Sequence, residues 1–146
     1  MIDKKLIGHE FEPITLSVEE SRLKFVAKAI GETNPVYSDL DAAKAERHPS
    51  IPAPPTFVFM LEIDALNLDE IMKLFGKDTK QLLHGEQGFV YHAPIYSGDR
   101  ITVSKKVKDI YDKKDGKLEF VITENHFVNQ NDVKVAETVT NYVIRN

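Results

Sequence analysis

The sequence predicts an α+β fold in which an antiparallel sheet wraps around a long buried helix. Three observations lead there. Helical periodicity and capping patterns fill the first half of the chain, and four strand-like segments separated by turn residues fill 82–144. Between them, residues 56–66 are apolar on nearly every side for their first turns, as a helix enclosed by other elements is.

Residues 12–16 read as a short strand. Ser17, Val18, Glu19 and Glu20 then form a capping-box pattern, in which the Ser17 hydroxyl and the Glu20 carboxylate each satisfy a free amide. Leu23, Val26, Ala27 and Ile30 recur at helical spacing with Phe25 widening the stripe, and Gly31 stands where a left-handed cap belongs. Pro35 pushes Asn34 away from helical geometry, and Ser38 with Asp41 marks a second helix over about 39–46. Four prolines within residues 48–55 impose an extended, stiff loop. Pro54 and Pro55 suit the first turn of the apolar helix, where a missing amide costs nothing. A short amphipathic segment, 68–75, ends at Gly76. Strands follow over 82–91, 100–111, 118–128 and 133–144, divided by clusters of Ser, Gly, Asp, Lys and Asn at hairpin spacing. The last strand places Val133, Val135, Val139 and Val143 on one face, which the pattern assigns to the core. Open sheet edges of this kind are usually protected by pairing with another subunit.

Composition narrows the function classes. The chain has 146 residues, 42% hydrophobic and 29% charged, which suits one domain over 1–146. Cysteine is absent, so a disulfide scaffold, a cysteine nucleophile and a thiolate metal site are all excluded. A net charge of −4, without long cationic runs, argues against nucleic acid. No apolar stretch has the length of a membrane span or a secretory signal, which leads to the expectation of a cytoplasmic protein with no membrane contact.

The candidates for chemistry are five histidines, some serines and the carboxylates. His9 and His126 lack neighbouring acid motifs and read as surface or packing residues. His48, at the start of the proline-rich loop, either contacts a ligand or stacks on a proline. His84, Gly85, Glu86 and Gln87 put a ring, a glycine and two polar side chains inside an apolar strand, read either as a site or as a β-bulge with a satisfied hydrogen-bond network. His84 and His92 are too far apart along one strand to share a metal, and neither a nucleophile elbow nor a phosphate-cradling glycine loop occurs.

The loop from Gly31 to Asp39, followed by Ala53, Pro54, Pro55, Thr56 and Phe57, resembles the MaoC-like (R)-specific enoyl hydratases and 3-hydroxyacyl dehydratases of the hot-dog fold. The resemblance runs the full chain and implies a single hot-dog domain. In that family an Asp-x-Asn-Pro-x-His loop supplies a carboxylate and an imidazole, and an amide at the start of the buried helix polarises the acyl thioester carbonyl. Such donors suit the chemistry, because a developing enolate oxygen needs a fixed hydrogen bond while an acid and a base move protons. Here Asn34 and Pro35 match, but Glu32 stands for the aspartate and Tyr37 for the histidine. A phenol replaces the tunable imidazole, so the expected hydratase activity at this loop is weak or absent.

The runs Leu83 to Gln87 and Ala53 to Phe57 are similar to one branch of that family: the dyad-lacking N-terminal half of two-hot-dog hydratases, and the acyl-binding subunit of heterodimeric (3R)-hydroxyacyl dehydratases. This implies a subunit that shapes the acyl pocket while a partner hot dog supplies the Asp/His dyad. The implied site comprises Glu32, Tyr37 and His84 as catalytic candidates, with Asn34, Pro55, Thr56, Phe57, Phe59, Met60, Gly85 and Gln87 toward substrate. No cofactor or metal is implied. The partners are an acyl-CoA or acyl-carrier-protein thioester and a second hot dog, as homodimer or heterodimer. Two alternatives stand beside it: a self-sufficient homodimeric hydratase using Glu32 with Tyr37 or His84, and a hot-dog thioesterase or acyl-CoA sensor.

Overall fold

In the computed structural model, which describes residues 1–146, the chain forms β1 (Ile14–Ser17), α1 (Glu20–Ala29), α2 (Leu40–Ala45), α3 (Phe57–Asp64), α4 (Leu68–Leu74), β2 (Leu82–Tyr91), β3 (Arg100–Lys113), β4 (Leu118–Val128) and β5 (Lys134–Arg145). The five strands make one antiparallel sheet in the order β1-β3-β4-β5-β2. Helix α3 lies in its concavity, the hot-dog arrangement implied by the resemblance. No helix is long and apolar enough to cross a membrane.

Two apolar clusters hold the layers together. One gathers Phe57 and Leu61 of α3, Leu23 of α1 and Ile51 against Ile101, Phe127 and Val135 of the sheet. Full burial of a ring such as Phe57 contributes about 2–3 kcal/mol. The other packs Ile71, Met72 and Phe75 against Val107, Val121, Tyr142 and Ile144. Between them a polar row crosses the sheet: Lys105 pairs with Asn125, Asn125 with Thr138, and Thr123 with Thr140. All five side chains are buried.

Local structure departs from the sequence expectations in instructive ways. Ser17 does not cap α1; it ends β1 opposite Arg100, and Glu19 takes the cap position without a side-chain bond. Leu23, Val26 and Ala27 are buried as the spacing requires, but Phe25 and Ile30 face solvent. Asp39 rather than Ser38 caps α2, its Oδ1 accepting from the Ala42 amide at 2.8 Å. Helix α3 spans two turns and buries the side formed by Phe57, Val58, Leu61 and Glu62, while Ile63 is exposed. From Ala136 onward the face of β5 is the opposite one: Ala136, Thr138, Thr140, Tyr142 and Ile144 point into the core, whereas Val139 is exposed and Val143 half-buried. Val133 is exposed too, but Val135, beside the register irregularity opposite Phe127 and Val128, stays buried in the core as expected. The buried polar row demands the two threonine hydroxyls, so hydrophobicity alone misassigns this strand.

Candidate functional site

A cleft of about 500 Å³ opens at the start of α3. Asn34 and Tyr37 border it on one side, Pro54 and Pro55 lead into the helix, Tyr91 and Ile95 face them, and Val58 contributes to its apolar lining. The loop is locally self-supporting: Asn34 Oδ1 accepts from the Val36 amide at 3.1 Å, starting the 3-10 turn Pro35–Tyr37. Tyr91 hydroxyl donates to the Pro55 carbonyl at 3.0 Å, tying the end of β2 to the helix start. Burial pushes the Tyr91 phenol up from its usual range.

The cleft holds donors but an incomplete acid–base set. The Phe57 amide is taken by the Pro54 carbonyl at 2.8 Å, whereas no carbonyl or side chain accepts from the Thr56 and Val58 amides. These first-turn N–H groups lie at the positive end of the helix dipole, as a site for a developing oxyanion does. Tyr37 is half-buried at the cleft. Glu32 is exposed and absent from the lining; its Oε1 accepts from the Asn34 amide at 2.8 Å, so the carboxylate serves its own loop. His48 also borders the cleft, and its Nδ1 lies 3.1 Å from the Tyr96 hydroxyl.

The other sequence candidates lie further along α3. Phe57 is wholly enclosed in the core, Phe59 and Met60 are half-buried, and none of the three lines the cleft. His84 is exposed at the β2 edge, stacked on Phe59 with ring centroids 5.3 Å apart, and its Nε2 lies 3.0 Å from Gln87 Oε1. The sheet register shifts between His84 and Glu86, so this motif is a bulge with a satisfied network. Gly85 is required there: a Cβ would meet Val143 Cγ2 at 2.7 Å and the Asn141 carbonyl at 3.1 Å.

The sequence reading missed the charged centre behind Gln87. Glu62 is fully buried, and its Oε2 accepts from Gln87 Nε2 at 3.0 Å and Thr138 Oγ1 at 2.7 Å. Its Oε1 accepts from Thr140 Oγ1 at 2.5 Å and lies 3.8 Å from Lys105 Nζ. Lys105 in turn donates to the Tyr142 hydroxyl at 3.2 Å. Burial lowers the Lys105 ammonium to about 8 against the opposing pull of Glu62. Burial, and then the Glu62 charge, push the Tyr142 phenol well up. Glu62, the one charged residue before the closing Asp64 of an apolar helix, was the available signal. No group of three or more His, Asp or Glu side chains is placed to hold a metal ion.

Comparison with known proteins places these features in context. Residues 5–138 match the family described as FAS1-like, dehydratase domain region. A UPF0336 protein from Streptomyces coelicolor is 36% identical over 110 residues, 75% of this chain and 73% of that one. The C-terminally truncated HadBC (3R-hydroxyacyl-ACP dehydratase) complex from Mycobacterium tuberculosis superposes with a TM-score of 0.80 at 23% identity, over 94% of this chain and 96% of that chain. A MaoC-like dehydratase superposes with a TM-score of 0.85 at 22% identity, over 97% of this chain and 42% of that chain. At these identities the two structures establish a shared fold.

Proposed function

Since this chain belongs to the FAS1-like dehydratase-region family and has the MaoC-like hot-dog fold, we propose that it is the acyl-thioester-binding subunit of an (R)-specific 2-enoyl hydratase or 3-hydroxyacyl dehydratase. It shapes the acyl pocket, and a partner hot dog supplies the Asp/His dyad. One observation carries this reading: the cleft pairs free first-turn amides with an apolar lining, yet has Tyr37 in place of an imidazole and a Glu32 turned into its own loop. Such a cleft grips a thioester carbonyl without providing the base that hydration needs. The sheet supports a paired state. Strand β2 bonds only to β5 and leaves a ten-residue edge open, along which Leu83, Val90 and Tyr91 are exposed. Closing that edge with a second hot dog satisfies its backbone groups and covers the apolar side chains.

In this reading Asn34, Pro55 and Thr56 stand at the thioester end of the site. The subunit acts in the cytoplasm on acyl groups carried by coenzyme A or acyl carrier protein. The test follows hydration of a short and a medium-length trans-2-enoyl-CoA, with the oligomeric state measured in the same preparation. The purified chain alone is expected to show no turnover until a hot dog bearing the Asp-x-Asn-Pro-x-His loop is added. Clear turnover by the homodimer would overturn the subunit role and assign the chemistry to this chain's own Glu32, Tyr37 or His84. Release of free thiol without hydration would point to a thioesterase.

A further inference from the structure

Every hydrogen bond to buried Glu62 comes from a donor: Gln87 Nε2, Thr138 Oγ1 and Thr140 Oγ1. This is the acceptor-only pattern of an ionised carboxylate. Its orientation propagates outward. Because the Gln87 nitrogen is committed to Glu62, its Oε1 faces His84 Nε2 at 3.0 Å. The single Thr140 proton goes to Glu62 Oε1 at 2.5 Å, so Gln87 Oε1, 3.0 Å from the same hydroxyl, still requires a donor on the ring side. A neutral His84 therefore carries its proton on Nε2 and presents the lone pair of Nδ1, which has no protein partner. Stacking on Phe59 holds the ring plane.

The topology decides where that lone pair is offered. His84 and Tyr91 occupy opposite ends of the open β2 edge, and Tyr91 marks the cleft end through its bond to Pro55. Two such edges that keep their helices on the same side of a continuous sheet meet antiparallel, about a two-fold axis perpendicular to it. The His84 end of one chain then lies beside the cleft end of the other. We infer that Glu62, acting through Gln87, is a positioning residue that holds His84 as the Nε2–H tautomer, so that Nδ1 accepts a hydrogen bond from an O–H or N–H of an acyl thioester bound in the cleft of the paired hot dog. This rests on the paired-subunit reading above. The chain contributes a fixed acceptor to a site whose dyad lies elsewhere.

Two measurements test it. Long-range proton–nitrogen NMR correlations on the labelled chain report the His84 tautomer, expected as Nε2–H in the wild type. In Glu62→Gln the new amide keeps its oxygen toward Lys105 and Thr140 and turns its nitrogen toward Gln87. Gln87 then reverses, and His84 switches to the Nδ1–H form. A wild-type Nδ1–H ring, or a tautomer unmoved in the folded Glu62→Gln protein, overturns the inference. The second measurement is the binding of a short trans-2-enoyl-CoA and its 3-hydroxy product to the complex with the dyad-bearing hot dog. His84→Phe and His84→Gln each raise Kd about 3- to 10-fold, the loss of one neutral hydrogen bond; Glu62→Gln does the same where the ligand group is an N–H, since a hydroxyl can instead accept from the Nδ1–H of the switched ring. His84→Asn, whose oxygen can occupy the Nδ1 position, restores wild-type binding. His84 is exposed, so its variants keep the test valid if Glu62→Gln fails to fold. Unchanged binding by His84→Phe overturns the inference and leaves the proposed function standing, whereas a wild-type complex that binds neither thioester removes both.

Discussion

Raising the pH should stabilise this protein through a single buried amine. Lys105 is 7% exposed, and its ammonium has the Tyr142 hydroxyl at 3.2 Å and Glu62 Oε1 at 3.8 Å as neighbours. Burial outweighs the attraction of Glu62 and lowers the amine from 10.5 to about 8. The unfolded chain holds that proton to the higher value, so between pH 8 and 10.5 it binds more protons than the folded chain, and stability rises with pH. Below pH 8 the penalty is fully present. Its size, at about 1.4 kcal/mol for each tenfold change in proton affinity, is about 3 kcal/mol. Tyr142 stays neutral across this window, because burial and the Glu62 charge push its phenol up. Urea denaturation of the wild type and Lys105→Met at pH 7, 8, 9 and 10 cancels the titrations common to both. The wild type should gain on the variant by most of that 3 kcal/mol, entirely above pH 8. A flat difference, or one that falls with pH, would refute the reasoning.

Other consequences follow from the same structure. The Glu119 carboxyl, opposed by burial but held by Asn146 Nδ2, Lys77 Nζ and the Ile2 amide, is lowered to about 2. Glu119→Gln should therefore cost about 2 kcal/mol at pH 7. The wild-type advantage should fade as pH drops from 4.5 toward 2 in thermal unfolding, with faster amide exchange at Ile2. Gly85→Ala should destabilise by about 1–3 kcal/mol, because its methyl overlaps Val143 in a packed bulge. Tyr91→Phe loses the bond to the Pro55 carbonyl and should cost about 1 kcal/mol in chemical denaturation. Glu32→Gln keeps an acceptor for the Asn34 amide, so folding and turnover of the paired complex should both survive. A large loss of turnover with an intact fold would return Glu32 to the chemistry.

Much of the architecture was legible in the sequence because it rests on short-range patterns. The apolar run after Pro54 and Pro55 marked the helix that the sheet encloses, and turn residues bracketed each strand of the second half. The 3.6- and 2-residue periods report which neighbours share a face, and that information is local. Gly31 was identified for the same reason: its φ of +74° is the left-handed geometry a cap requires. The loop carrying Asn34, Pro35 and Tyr37 was found from its residues, and folding brought it to the helix start.

Tertiary structure decided the polar centre and everything that depends on it. Glu62 meets Thr138 and Thr140 across 76 and 78 residues of sequence, a distance no periodic pattern spans. Burying that carboxylate required the face of β5 that carries Thr138 and Thr140 to turn inward and Val139 outward, against the order hydrophobicity alone predicts. The Ser17 cap was lost for a similar reason, since pairing with Arg100 engaged the residue in a sheet instead. Sequence determined where each element begins and what each can offer. The fold determined which polar groups meet away from water, because a buried charge must be answered by whichever donors the whole chain brings to it.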